Sequence, residues 1–224
     1  RKVGSGKAFG TNVRLISASE AKEKFPLLEE ESIRGAMWDP DAGLVTPRSQ
    51  DVVSFAVESA KEKGALTTFT DTPALDFEIE NGHITGVKTD KGIIKTKKVV
   101  IASGIWGPLL GEIAGVPVPL MPVEHPLLFF GPLPQAQGAE DFLVYPLLRD
   151  QGNSAYVRDT GRLHGGMLEW GYYEDKEPRM VDPADIGNPE KTMISDSMRY
   201  LDLEEIAEPL EKAFETTPIL NELG

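Results

Sequence analysis

Hydrophobic and polar positions change period several times along the chain, and each change predicts an element. The plainest passage is ALDFEIENGHITGVKTD, residues 74–90. Two alternating stretches flank Asn81-Gly82, the dipeptide that best supports a type I′ turn, so a β-hairpin is expected. A second turn at Asp90-Lys91-Gly92 leads into IIKTKK, again interleaved, and then into the fully apolar VVIA at 99–102. That short run, closed by Ser103-Gly104, predicts a strand buried on both faces. The stretch from Gly92 to Gly107 is therefore expected to organise the rest. TTFT at 67–70 is β-prone, and TNVRLIS at 11–17 alternates briefly like a strand.

Helical periods lie between these strands. SASEAKEKFPLL, residues 17–28, opens with Ser17 or Ser19 able to accept from first-turn amides, and Glu20 or Glu23 suits the positive end of a helix that Pro26 stops. Val52, Val53, Ala56, Val57 and Ala60 form one face of a second helix, capped by Ser49 or Asp51 and ended by Gly64. PLLGEIAG at 108–115 makes a short third helix. Leu203, Ile206, Leu210 and Phe214 give an amphipathic last one with an acidic outer face. Between them, VPVPLMPVEHPLLFF reads as an extended edge strand because its prolines cannot donate to a central ladder. FLVYPLLRDQGNSAYVRDTGRLHGGMLEWGYYE reads as successive strands with turns at Asp150–Asn153 and Asp159–Arg162, followed by a polar, proline-containing link over 174–192.

Composition narrows the class. A chain of 224 residues can bury a sizeable core in one or two domains. No apolar run approaches the roughly 20 residues of a membrane span, and RKVGSGKAFG lacks the apolar segment of a signal peptide. With no cysteine, disulfides and thiolate metal sites are excluded, and a cytoplasmic location is expected. Twenty-three basic against 36 acidic residues leave a net charge of −13, which argues against nucleic-acid and anionic-membrane partners.

Candidate chemistry comes from three places. Gly104 has no Cβ to keep a ligand from the backbone and Trp106 is able to cover one, although a strand end with a core tryptophan explains both residues equally. His125, between Glu124 and Pro126, has either a structural or a catalytic use. Tyr156 and Arg158 alternate onto one face of a strand, with Tyr145 and Arg149 expected beside them on the previous one. Arginine's fork matches a carboxylate bidentately, while ordinary cross-strand pairing is the alternative. Phosphate loop, HExxH motif, nucleophile elbow and GxGxxG fingerprint are all absent, and the three histidines are too scattered for a metal cluster.

Taken in order, WDPDAGLVTPRSQ, the hairpin, KTKKVVIASGIWGPLLGEIAGVPVPLMPVEH and AYVRDTGRLHGGMLEWGYYE resemble the amine-oxidising flavoproteins of the D-amino-acid oxidase superfamily. Within it they look most like the dimethylglycine and sarcosine dehydrogenase branch. The resemblance covers roughly residues 10–224 and is most specific from the hairpin to His125. It implies an α+β or α/β fold: a large mixed β-sheet substrate domain over 1–48 and 107–200, plus part of an FAD-binding domain of the glutathione-reductase type over 49–106 and 201–224. It implies oxidation of the C–N bond of an N-methylated glycine, with hydride passing to FAD, which carries the difficult step. A methylated amine would be the small-molecule substrate, with an electron acceptor or folate as further partner.

Residue by residue, the resemblance places Ala102, Ser103, Gly104 and Trp106 against FAD and Ala74 near its adenine. His125 matches a histidine near the flavin ring that helps hold substrate, Tyr156 an active-site tyrosine, and Arg158 a neighbour that binds substrate. Two departures stand out. The branch usually follows this histidine with Gln-Tyr, where Pro126-Leu127 stand here. The family's glycine fingerprint and its C-terminal glycine-rich stretch are not in the sequence, so the chain is expected to be a middle fragment, neither holding FAD tightly nor turning over by itself. A flavin-free binding or interaction module that keeps the fold, and a glycine or D-amino-acid oxidase, are the alternatives.

Overall fold

A computed structural model describes residues 1–46, 48–173, 179–186, 188, 190–191 and 198–224. Of the link expected over 174–192, residues 174–178, 187, 189 and 192 lie outside the described residues. The chain divides into two compact units, residues 1–55, 125–177 and 202–224 against 56–124 and 178–201. By this division residues 107–124 fall with the hairpin, and the C-terminal helix falls in the other unit.

The helices and strands along the chain are α1 (Lys2–Ala8), β1 (Arg14–Ile16), α2 (Ala18–Lys24), β2 (Ala36–Trp38), α3 (Ser49–Glu62), β3 (Ala74–Glu80), β4 (His83–Thr89), β5 (Gly92–Lys95), α4 (Gly107–Ile113), β6 (Val123–Glu124), β7 (Leu127–Phe130), β8 (Leu148–Asp150), β9 (Ala155–Asp159), β10 (Leu168–Tyr172), β11 (Arg179–Met180) and α5 (Ala207–Thr216).

In the first unit β7, β10, β9 and β8 form an antiparallel sheet in that order, so β7 is an edge, as its flanking prolines require. Period-2 alternation sends Phe130, Leu168, Trp170, Ala155 and Val157 to one face. There they meet Phe25 and Leu28 beyond α2, Ile16 of β1, and Ile206, Ala213 and Leu220 of the C-terminal region. Trp170 and Leu168 are fully buried, each such side chain contributing about 1.5–3 kcal/mol. Two backbone bonds tie the C-terminal region in: Glu29 N–H donates to Thr216 O at 2.8 Å, and Gly131 N–H to Gly224 O at 3.1 Å. Leu203, counted into the last helix from its spacing, precedes α5 and is exposed. Ser17 is the residue that caps α2, accepting from Glu20 N–H at 3.1 Å. The opening residues, for which the pattern predicts no element before the strand-like stretch at 11–17, form the short helix α1.

In the second unit the predicted hairpin is present, with Asn81 at φ 51° and Gly82 at φ 77°, and β5 extends it to a three-stranded meander. α4 packs against β3. β6 pairs with β11, where Glu124 takes Arg179 at 3.2 Å and Arg199 at 2.5 Å. Two strand expectations fail here. VVIA at 99–102 is not a strand, and Val100 is 87 % exposed. TTFT at 67–70 is irregular as well, with Phe69 exposed. Both have the side chains of a strand, yet neither has a ladder partner among the described residues, and a strand without one leaves its amides unpaired. Val99 and Ile101 instead line a hollow of about 400 Å³ with Phe77, Ile79, Ile84, Val116 and Val118.

α3 forms where the sequence predicts it and ends at Gly64, whose φ of 67° is the left-handed value a helix stop requires. Its apolar face is not buried: Val52, Val53 and Ala56 are exposed, and Val57 and Ala60 are only partly covered.

Candidate functional site

The second face of the β7–β10–β9–β8 sheet carries the polar chemistry. Arg149 stands opposite Tyr156, Tyr156 opposite Gly171, and Arg158 opposite Glu169. Leu127 and Phe129 of the edge strand complete this face and are half exposed. The surface borders a hollow of about 1030 Å³, which Lys24, Phe25, Trp38 and Leu147 also line. Concave, largely apolar walls with a few convergent polar groups are the usual form of a small-molecule site.

The two arginines differ in circumstance. Arg158 pairs with Glu169 at 2.5 Å, and that carboxylate is nearly buried. Arg149 pairs with no carboxylate among the described residues. Its guanidinium lies instead over two rings, 4.7 Å from the Tyr173 centroid and 5.8 Å from that of Tyr156. Tyr145, expected on this face with Arg149, packs edge-on to Phe25 at 5.9 Å and belongs to the core side. Pro146 and Leu147 separate it from β8, so the alternation that links it to Arg149 in sequence is broken.

Tyr156 is the centre of the group. Burial pushes its phenol above the ordinary value of 10.0, the charges of Glu169 and Tyr173 add to that, and Arg158 and Arg149 pull the other way. The hydroxyl is therefore a neutral donor throughout the physiological range. Its ring lies 6.0 Å from Tyr173, whose own ring meets His125 edge-on at 4.8 Å. His125 and Tyr156 thus belong to one aromatic chain through Tyr173. A Cβ built on Gly171 would stand 2.2 Å from Tyr156 Cζ, so the ring occupies the space a side chain would fill. Gly171, Glu169 and Tyr173 escaped the sequence reading. The register between β9 and β10 reveals Gly171 and Glu169, and the ring contacts with His125, Tyr156 and Arg149 reveal Tyr173, although WGYY is dense in the residue types that line such sites.

The other five candidates, Ala74, Ala102, Ser103, Gly104 and Trp106, lie in the second unit. Ala74 opens β3 opposite Thr89. Ser103, Gly104 and Trp106 form a short turn leading into α4. Gly104 has φ 58°, and nothing lies within 4 Å of where its Cβ would be. Ser103 Oγ is shielded from solvent and has no hydrogen-bond partner, and Trp106 is partly exposed. A left-handed glycine with open space before it and an orphaned hydroxyl beside it suit a ligand that brings its own polar atoms to the backbone. These residues fit a bound cofactor. No group of carboxylates and histidines able to hold a metal ion occurs among the described residues.

The FAD dependent oxidoreductase (DAO) family matches residues 1–222. The chain belongs to this family. Members of the family use FAD. The human mitochondrial dimethylglycine dehydrogenase is 27 % identical over 210 residues, 94 % of this chain and 23 % of that protein. The human mitochondrial sarcosine dehydrogenase is 26 % identical over 234 residues, 100 % of this chain and again 23 % of the relative. The chain thus spans about a quarter of the length of these FAD-dependent relatives. Among solved structures, the L-proline dehydrogenase from P. horikoshii superposes with a TM-score of 0.73 at 30 % identity, covering 97 % of this chain and 51 % of that one. No helix among the described residues is long and apolar enough to cross a membrane.

Proposed function

We propose that this chain carries the substrate face, and part of the cofactor contact, of an FAD-dependent oxidoreductase that oxidises the C–N bond of an N-methylated glycine such as dimethylglycine or sarcosine. The observation that carries this reading is Arg149 held over Tyr173 and Tyr156, with no carboxylate of its own among the described residues, at the edge of an apolar hollow. A small amino acid needs one fixed cation for its carboxylate and a drier region for its amine and methyl groups. Arg158, the arginine that the resemblance marks for this task, has its charge engaged by Glu169, which makes Arg149 the better receptor.

The amine must be neutral before it gives up a hydride. The Tyr156 hydroxyl, kept protonated by burial, donates to the amine nitrogen and so orients it, and the His125 imidazole, braced by the Tyr173 ring, positions the substrate. Bound FAD supplies the hydride acceptor. Ser103, Gly104 and Trp106 are the residues we assign to its contact, with Ala102 and Ala74 on the same unit.

The experiment is a substrate panel on the flavin-loaded complete gene product, with Arg149→Ala and Arg158→Ala beside the parent. Dimethylglycine or sarcosine should be oxidised faster than glycine or D-alanine. Arg149→Ala should raise KM on the order of 10²-fold, the scale of one lost charge-assisted bidentate contact, and more than Arg158→Ala does. A preference for glycine or D-alanine would reassign the substrate. Failure of the complete gene product to bind FAD under any condition would leave a binding module.

A further inference from the structure

We propose that Gly171 is a positioning residue: its missing side chain seats the Tyr156 ring on the backbone of β10 and thereby sets where the hydroxyl meets the substrate amine. The inference rests on the reading of this face as the amine-oxidising site and extends it to a residue with no functional group.

Gly171 is the cross-strand partner of Tyr156 and of Leu127, so it sits in the middle of the face, flanked on both sides. It is not among the glycines with positive φ, so alanine is permitted by the backbone and conformational freedom does not explain it. Space does. A Cβ at this position would lie 2.2 Å from Cζ, 2.3 Å from the hydroxyl oxygen and 2.4 Å from Cε1 of Tyr156. All three atoms are at the far end of the ring, and none is backbone. The ring is therefore laid across bare main chain, 5.8 Å from the Arg149 guanidinium and 6.0 Å from the Tyr173 ring, with the Arg158–Glu169 pair two residues along the strands. Restoring ordinary contact at about 3.5–4.0 Å would displace the phenol by more than about 1 Å, into the hollow. Because the colliding end can swing about χ1, the fold survives and the hydroxyl moves. A misplacement of about 1 Å in a reacting constellation costs on the order of 10²-fold in rate.

The test compares Gly171→Ala in two backgrounds, with Tyr156 present and with Tyr156→Ala. The rate readout is kcat/KM of the flavin-loaded complete gene product for dimethylglycine. The structural readout is the alkaline titration of the Tyr156 resonance in protein labelled with 13Cζ-tyrosine, assigned by its loss in Tyr156→Phe. We expect Gly171→Ala to lower kcat/KM on the order of 10²-fold when Tyr156 is present and by less than about twofold when it is not, because additivity fails only for residues that act through one another. The Tyr156 resonance should titrate at lower pH in Gly171→Ala, closer to an ordinary phenol. An equal rate loss in both backgrounds, or an unmoved titration, overturns the proposal. If the loaded protein oxidises no methylated glycine, the substrate reading falls while the resonance still decides the role of Gly171.

Discussion

Asp159 offers the sharpest test of how the site is held. It ends β9 on the core side and is completely buried. One carboxylate oxygen accepts the N–H of Val144 at 2.8 Å and of Gly161 at 2.9 Å; the other accepts the N–H of Tyr145 at 2.8 Å. The side chain thus clamps the segment before β8, which supplies Leu143, Pro146 and Leu147 to the wall of the larger hollow. Replacing it with alanine orphans three donors. Each buried unsatisfied amide costs about 1–3 kcal/mol, and since Val144 is partly exposed the lower half of that range applies, about 3–6 kcal/mol in total. Asparagine can keep its carbonyl oxygen where two of the bonds meet and loses only the bond to Tyr145, so about 1–3 kcal/mol is expected. The assay is urea denaturation followed by tryptophan fluorescence, because Trp170 reports from the same core. Hydrogen exchange at the Val144 and Tyr145 amides gives a local readout. Alanine within about 1 kcal/mol of wild type, or no worse than asparagine, would refute the clamp.

Two further outcomes follow from the same face. His125→Ala in the flavin-loaded complete gene product should lower kcat/KM for a methylated glycine by about 10²-fold or more, the scale of a positioned acid–base group, and an unchanged rate would remove His125 from the chemistry. For Tyr156, the folded phenol holds its proton to a higher pH than the ordinary 10.0, so the unfolded chain ionises first. Its contribution to stability is then complete below about pH 10 and is lost as pH rises through the folded value. Tyr156→Phe should lose less stability than wild type over that alkaline window, and parallel curves would contradict the burial argument.

What was legible in the sequence was local. Asn81-Gly82 fixes its turn by dihedral preference alone, Ser17 caps its helix three residues away, and Tyr156 and Arg158 share a face because a strand repeats every two residues. VVIA at 99–102 was misread because apolar composition states only that a segment suits burial between neighbours, and those neighbours are never local. The same limit hid which arginine is engaged. Arg158 and Glu169 are 11 residues apart, and only the β9–β10 register makes them partners. Gly171 was invisible for a further reason: its contribution is a volume that a residue on the next strand fills.

The two faces of β9 have a consequence for how such a protein changes over time. Ala155, Val157 and Asp159 answer to the core, while Tyr156 and Arg158 answer to whatever enters the hollow. Selection for a new amine can rewrite every second position of this strand and leave the positions between untouched. The cost of exploring substrates is thereby separated from the risk of unfolding, one peptide unit at a time.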